Sequence, residues 1–364
     1  MSPAVAANAP NYVAVGSQRP VVINESFINP WTEAFGRIAV GRHVFVAPNA
    51  ILRADGRRRV CLGNATNVQD NVLVIAERGR APKARCARRS TSTGRRVSIA
   101  HQADVRNSRI GNFTFIGFRS RLRNVALGNG AFVLHGATVS NVRIGRNRLV
   151  PTGAVITTQA QADALPVKTE AHSDFQREVL EVNEEFAEYY PDLYKRKGEA
   201  GVTGVAPSPE TSFNRTSVRP RLGANTHLEP FATLTGAVRM GANGEIGRRT
   251  SIRADEGSPI VIGADAAIED RVTFHALKGT SIRIGTELNS DDNVVFHGPL
   301  TVGDRLSIGD DAILFRANVE DDVTIGDGAV VVGPADAPLR IPAGTQIPAG
   351  AVITDQEGID RLQS

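Results

Sequence analysis

The residues that could do chemistry lie in two segments that repeat along the chain. Residues 52–79 align without gaps with residues 252–279, and each copy contains an Arg-x-Asp step, which begins at Arg53 and Arg253. Three histidines lie within or after these segments: His101, His275 and His297. Imidazole can bind a metal or exchange a proton near neutral pH, and carboxylates can do the same. The chemistry of the chain therefore depends on the fold that the duplicated segments adopt.

Aliphatic side chains recur every six residues in both halves of the sequence. The longest uninterrupted series comprises Leu222, Leu228, Leu234, Met240, Ile246 and Ile252. The first half has the same spacing at Leu62, Val68 and Val74, and glycine often follows the aliphatic residue. A period of six fits neither the 3.6 residues of a helical turn nor the alternation of one flat strand. It predicts short strands joined by tight turns in a three-sided coil, with stacked coils bonded to each other around an aliphatic column.

This pattern predicts an all-β fold of two tandem parallel β-helices, over residues 1–165 and 218–364. The pattern resembles that of hexapeptide-repeat families with left-handed coils, so we expect left-handed coils here. We expect residues 166–217 to contain one α-helix and a linker, and we expect no equivalent helix in the second domain.

The predicted helix has a start signal, an apolar face and a stop signal. Ser173 and Gln176 form a capping-box pattern, and Pro191 is expected to end the helix. Residues at helical spacing predict its buried face: Phe175, Val179, Val182, Phe186 and Tyr190. Residues 198–217 are rich in Gly, Pro, Ser and Thr and are expected to form the linker.

Charge is distributed unevenly along the chain. Residues 1–165 carry a net charge of +16, residues 166–214 carry −5, and residues 215–364 carry −7. These opposite charges favour contacts between the halves, within or between chains. Residues 78–96 include eight basic residues. They contain no aromatic residue for base stacking, so we do not expect nucleic-acid binding, and the alternatives are a solvated loop or a site for an acidic protein partner.

The sequence also suggests a cellular compartment. Two cysteines, Cys61 and Cys86, are too few for a disulfide framework and fit a reducing environment. The alternative is a single regulatory disulfide between them. Residues 1–20 do not form a signal-peptide pattern, and no apolar run is long enough to span a membrane. We therefore expect a cytoplasmic protein, alone or within a large assembly or microcompartment, with no membrane partner.

Several motifs together resemble the γ-class carbonic anhydrase family. They are the two Arg-x-Asp steps, the Gln-Asp and Glu-Asp pairs that begin six residues before positions 75 and 275, F-H-A at 274–276, VSIAHQADVR at 97–106 and VVFHGP at 294–299. The run FIGFRS at 115–120 is similar to the γ-type domain of carboxysome scaffold proteins. The resemblance covers most of both halves. It implies a trimer-based homo-oligomer that hydrates carbon dioxide to bicarbonate.

The resemblance also implies a metal site between neighbouring subunits. In that family, two histidines of one subunit and a third of the next hold zinc, for which iron and cobalt are alternatives here. Zinc bound this way lowers the pKa of water to about 7. The matching positions are His275 in the second half but Ile75 in the first, His101 in the first but Asp292 in the second, and His297 in the second but Arg106 in the first.

Neither half carries all three histidines. In the first half, Ile75 and Arg106 replace two of the histidines. First halves alone therefore cannot form this metal site. His275 and His297 could meet His101 of a first half across a mixed contact. Second halves could instead pair with each other and supply His275, His297 and Asp292, because two histidines and a carboxylate also bind zinc. The third alternative is that no functional metal remains.

Two glutamates are candidate catalytic residues under the same resemblance. Glu256 and Glu269 match positions near the metal-bound water and the proton exit, where a carboxylate could orient water or carry protons. The alternative is that both are solvated turn residues. The Arg53–Asp55 and Arg253–Asp255 pairs are expected to form salt bridges between subunits.

Three functions follow from these observations. The first is a γ-type carbonic anhydrase with one working kind of site. The second is a catalytically degenerate trimeric scaffold for a carboxysome or another large complex. The third, a hexapeptide acyltransferase, would need an acyl-coenzyme A groove, for which we find no residues in the sequence.

Overall fold

The computed structural model describes residues 12–13, 22–77 and 90–363. The chain divides into two compact units, Met1–Lys195 and Arg196–Ser364, which we call unit 1 and unit 2. Short, mostly parallel strands dominate both units, as the all-β prediction requires. Among the described residues, no helix has the length and apolarity needed to cross a membrane.

Unit 1 is a three-sided coil in which each sheet collects strands from successive coils. The first sheet comprises Tyr12–Val13, Ile38–Val40, Arg59–Leu62, Ser90–Thr93, Arg109–Ile110, Ala126–Leu127 and Arg143–Ile144. The second comprises Val22–Ile23, Ser26–Ile28, Phe45–Val46, Asn67–Val68, Ser98–Ile99, Phe115–Ile116, Phe132–Val133 and Leu149–Val150. The third comprises Glu33–Phe35, Ile51–Ala54, Leu73–Ala76, Asp104–Arg106, Arg121–Arg123, Thr138–Ser140 and Val155–Ile156. Pairing is parallel except where Tyr12–Val13 and Val22–Ile23 join their sheets.

Unit 2 repeats this architecture, with two of its sides joined into one large sheet. That sheet comprises Val205–Ala206, Arg221–Leu222, Thr233–Gly236, Val238–Met240, Ser251–Ala254, Ile260–Ile262, Thr273–Ala276, Ile282–Ile284, Val295–Val302, Ile313–Val319, Val330–Val332, Leu339–Ile341 and Val352–Ile353. The remaining side comprises His227–Leu228, Glu245–Ile246, Ala267–Ile268, Asn289–Ser290, Ser307–Ile308, Thr324–Ile325 and Gln346–Ile347. The two long strands Val295–Val302 and Ile313–Val319 each belong to two sides, which explains the joined sheet.

The six-residue period is the period of the core. Its residues form one buried aliphatic column in each unit, for example Val68 and Val74 in unit 1 and Ile246 and Ile252 in unit 2. Many strands contribute one inward side chain and some contribute two, such as Ile38 and Val40. Burial of these side chains is the main stabilising contribution. The hexapeptide-repeat prediction is confirmed by the strands and by this packing.

Corners with positive φ hold the coils in register. Gln102 in unit 1 and Asn293 in unit 2 have φ of 58° and 61°. Their amides donate to the carbonyls of Asp70 and Asp270 on the preceding coil, each at 2.9 Å. The two corners are therefore equivalent, and the residues just before them, at 101 and 292, occupy matching places.

Within the described residues, three α-helices follow the coils: α1, Gln159–Asp163; α2, Glu170–Lys197; and α3, Gln356–Asp360. A short 3₁₀ turn follows α2 at Glu199–Gly201. Besides the single predicted helix, each unit therefore has one five-residue helix after its last coil. The side chain of Gln161 completes a capping box with Thr158 at the start of α1.

The predicted ends of the long helix are wrong. α2 begins at Glu170, so Ser173 lies inside its first turn. The side chain of Gln176 donates to the carbonyl of Thr114 at 3.2 Å instead of reaching back to a cap. Pro191 also lies inside α2. Burial of Tyr190 and Leu193 beside it offsets the missing backbone hydrogen bond.

Several predicted features of the connecting segments have a definite place. Val205–Ala206, within the predicted linker, pairs with Thr233–Gly236 of unit 2. Cys61 is a partly buried free thiol, whereas Cys86 lies outside the described residues. Most of the basic segment 78–96 also lies outside them.

Candidate metal centre

Two histidines lie side by side on one face of unit 2. Parallel pairing of neighbouring coils aligns His275 with His297, and Arg253 has the same register one coil earlier. The preceding residues Phe274 and Phe296 point into the core, where their rings stack with centroids 4.4 Å apart. Because side chains alternate along a strand, both imidazoles project from the opposite side of the sheet.

The two imidazoles face each other at a spacing that suits one metal ion. Nδ1 of His275 lies 3.4 Å from Nε2 of His297. Two imidazole nitrogens on one tetrahedral zinc, each at about 2.0–2.1 Å, lie roughly 3.3–3.4 Å apart. Nδ1 of His297 lies 3.1 Å from the carbonyl of Gly298, a contact that fixes the tautomer and directs Nε2 toward His275. The pair therefore fits two of the ligands of a zinc-like ion.

Buried carboxylates surround the outer nitrogen of His275. Its Nε2 lies 3.2 Å from Oε1 of Glu256 and 3.6 Å from Oδ1 of Asp255. Arg253 donates to the other Asp255 oxygen at 2.7 Å, and its side chain is only 2% exposed. Burial lowers the pKa of His275, but the carboxylates of Glu256 and Asp255 outweigh it and raise this pKa to about 9. The site therefore favours positive charge at the histidine pair.

The corresponding face of unit 1 has different chemistry. The same register aligns Arg53, Ile75 and Arg106 on neighbouring coils. Ile75 is buried, and Arg106 forms ion pairs with Asp104 and Glu77. Arg106 thus brings a fixed positive charge where unit 2 has an imidazole, and this face is unsuited to a metal cation.

His101 lies at a corner of unit 1 rather than on that face. Its Nδ1 is 3.1 Å from Oδ2 of Asp70, and both side chains are fully buried. Its amide donates to Oε1 of Gln69 at 3.2 Å, and its ring packs 5.5 Å from that of Phe118. A carboxylate on one ring nitrogen is the usual support for a metal-binding histidine, and it assigns ligation to Nε2.

Sequence comparisons show which proteins share these features. The chain is 29% identical over 186 residues to a carbonic anhydrase of Methanosarcina thermophila, covering 48% of this chain and 75% of that protein. It is 32% identical over 104 residues to the mitochondrial gamma carbonic anhydrase 1 of Arabidopsis thaliana, covering 28% and 36%. The chain is therefore similar to γ-class carbonic anhydrases over part of its length. It is also 33% identical over 165 residues to the carboxysome assembly protein CcmM of a Nostoc strain, covering 44% and 30%. No family model matches the chain.

The two candidate catalytic glutamates lie in different places. Glu256 lies at the histidine pair, and Glu269 lies elsewhere in unit 2. Glu269 is exposed, and its carboxylate lies with those of Asp292 and Asp310, with oxygens within 4.8 Å of one another. Burial and the neighbouring aspartates raise the pKa of Glu269. Asp292 also accepts a hydrogen bond from the amide of Asp270 at 2.9 Å. Within unit 2, Asp292 therefore belongs to an acidic corner rather than to the histidine pair.

Two supporting residues were missed at the sequence level. The sequence predicts for Asp255 only a subunit salt bridge, yet it lies beside His275 and anchors Arg253. The sequence marks Asp70 only as part of a motif, yet it orients His101. A signal existed for Asp70, because it lies at the corner one coil before His101, where stacked coils bring side chains together.

Proposed function

We propose that the protein is a γ-type carbonic anhydrase that hydrates carbon dioxide to bicarbonate. His275 and His297 of unit 2 and His101 of a unit 1, in the same or a neighbouring chain, would hold one zinc ion. The observation that carries this proposal is the 3.4 Å spacing of the two imidazole nitrogens. Iron or cobalt could occupy the same nitrogen ligands.

The surrounding residues have separate tasks in this proposal. A metal held by three neutral imidazoles supplies an acidified water and a Lewis acid. Asp70 and the carbonyl of Gly298 hold His101 and His297 in the tautomers that ligation requires. Glu256 is the carboxylate nearest to the pair, at 3.2 Å from His275, and we assign it the acceptance of the proton that hydration releases.

The third ligand is better supplied by His101 than by Asp292. His101 is buried and oriented by a carboxylate, as a metal-binding imidazole requires. The carboxylate of Asp292 is held by the Asp270 amide and lies 3.8 Å from Arg271. A carboxylate in that environment is already compensated, so we favour the mixed site with three histidines.

The test is metal content together with the hydration rate of single variants. His275→Ala and His297→Ala should each abolish zinc binding and lower the hydration rate by at least about 10²-fold. His227→Ala is the matched control, because its side chain is 67% exposed, and it should retain both. Metal and activity retained after both His275 and His297 are replaced would end the enzyme proposal.

A second candidate function is a scaffold. The arginine at a ligand position of unit 1 and the similarity to a carboxysome assembly protein favour a structural role for that unit. Purified protein that forms a stable assembly without metal or hydration activity would favour the scaffold over the enzyme.

A further inference from the structure

One corner of unit 2 concentrates negative charge. We call Glu269, Asp292 and Asp310 the acidic corner, because their carboxylate oxygens lie within 4.8 Å of one another. The corner is solvent-accessible. The aspartates around Glu269, Asp291 among them, add to burial in raising its pKa, which shows repulsion between like charges. A cationic surface against this corner would relieve that repulsion.

One face of unit 1 concentrates arginines. We call Arg53, Arg106, Arg121 and Arg123, all on the third sheet, the arginine face. Three of them line a groove of about 530 Å³ together with Asp104, Thr138 and Ser140. The side chains of Arg53 and Arg123 are 45% and 59% exposed, so they are open to a partner.

Arg106 has capacity for a further carboxylate. Its Nε donates to Asp104 at 2.7 Å, and its Nη1 pairs with Glu77. Its side chain is still 28% exposed. A guanidinium has five N–H donors in a planar fork, so two carboxylates do not exhaust it.

The acidic corner and the arginine face lie where the two units differ from each other. Corner hydrogen bonds give Asp292 in unit 2 the place of His101 in unit 1. Strand register gives Arg106 in unit 1 the place of His297 in unit 2. The two substitutions introduce opposite charges, one at the corner and the other on the face. At each of these two places, one unit has a charged side chain and the other unit has an imidazole.

We propose that the acidic corner of one chain docks on the arginine face of a second copy, with Asp292 paired with Arg106. The docking rests on the proposed function in one respect, which is that a corner of one unit meets a face of another. In the proposed function, His101 at a corner of unit 1 meets the histidine pair on a face of unit 2. Here an ion pair takes the place of a shared metal. Because the contact joins different surfaces of identical chains, repetition generates a closed ring or an open filament.

The test is the assembly mass of the full-length protein, measured by sedimentation velocity in low and high salt. Wild type should contain more than one chain per particle, and 0.5 M salt should shift it toward single chains. Asp292→Arg and Arg106→Asp should each weaken self-association at least about tenfold. The double variant should restore it, because the pair is re-formed with reversed polarity. The matched control is Glu245→Arg, an exposed acidic residue on a strand of unit 2, which should leave the mass unchanged.

Zinc content measured on the same samples separates this inference from the proposed function. Self-association unaffected by Asp292→Arg, or a wild type that sediments as single chains, would overturn the docking. A salt-sensitive assembly without zinc would overturn the enzyme and keep the docking. Circular dichroism should confirm that each variant is folded. If one is not, the milder Asp292→Asn replaces it. Asp292→Asn should weaken self-association, and unchanged self-association would count against the docking.

Discussion

In the proposed carbonic anhydrase, we expect proton movement at the histidine pair to depend on Glu256. It is buried, lies 3.2 Å from His275 and contributes to the raised pKa of that imidazole. Hydration of carbon dioxide releases one proton per turnover, and a carboxylate at this distance can receive it through a hydrogen-bonded water. Glu269 is exposed and lies in the acidic corner, so we expect it to contribute less to proton transfer at the pair.

Glu256→Gln should keep the metal and slow turnover. The amide is isosteric but is a poor proton acceptor, so we expect kcat to fall by roughly 10²-fold. Stopped-flow hydration assays with increasing imidazole buffer should restore part of the rate, because the buffer can accept the proton instead. Glu269→Gln is the matched control and should lose much less. Equal losses in the two variants would contradict the role of Glu256.

Glu77 gives unit 1 a pH dependence. Burial raises the pKa of Glu77, but hydrogen bonds from Arg123 and Arg106 outweigh it and hold the pKa below its usual value of 4.5. A lowered carboxyl pKa stabilises the folded state above the ordinary pKa, and this stabilisation is lost as pH falls through the lowered value.

Glu77→Gln should therefore destabilise unit 1 at pH 7 by about 1 kcal/mol. The difference from wild type should shrink as pH falls below the ordinary value of 4.5 and through the lowered pKa of Glu77. Urea unfolding followed by the fluorescence of Trp31, the single tryptophan, reports on unit 1. A difference that stays constant across this pH range would contradict the assignment.

At the residue scale the sequence is informative where a motif repeats and weak where a contact depends on the direction of a side chain at a turn. His275 and His297 could be identified from motifs, and their contact follows from their separation by one coil. The support that Asp255 gives to His275 was not predictable, because it depends on side-chain direction at a turn rather than on spacing.

At the scale of elements, the coils are determined by the six-residue period and the helix by its contacts with them. The apolar face of α2 packs on the second sheet of unit 1. There the ring of Phe186 lies 5.3 Å from that of Phe45, and Tyr190 lies 5.1 Å from Phe27. These contacts explain why α2 passes Pro191, since local propensity yields to buried aromatic packing.

Phe186→Ala should remove a large part of that packing. Loss of a fully buried phenylalanine typically costs 3–5 kcal/mol, and we expect a destabilisation of that order. Urea unfolding monitored by Trp31 should show a lower midpoint. Glu188→Ala, at an exposed position two residues later, should change stability by less than about 0.5 kcal/mol. An unaltered midpoint for Phe186→Ala would mean that α2 does not stabilise unit 1.

The six-residue period made the coils predictable from the sequence. The bounds of the long helix α2 were not predictable. Leu62, Val68 and Val74 mark strands because each buried position repeats with the coil. Ser173 and Pro191 carry the usual signals for helix ends, but contacts outside the helix decide its bounds. Spacing along the chain does not report those contacts.

At the scale of the whole molecule, the proposed metal site divides one set of ligands between the two units. Unit 2 retains the face histidines and unit 1 retains the corner histidine, and each lacks what the other has. The charge asymmetry along the chain accompanies this division. Because each unit lacks histidines that the other unit retains, we predict that neither unit binds metal strongly without the other.

Metal stoichiometry of the purified full-length protein tests this account most directly. Each chain has one His101 and one His275–His297 pair, so elemental analysis should find one zinc per chain in wild type. Replacement of His101 by alanine should reduce zinc to about a tenth or less of that value. Zinc retained at one per chain in His101→Ala, or two per chain in wild type, would contradict the mixed three-histidine site.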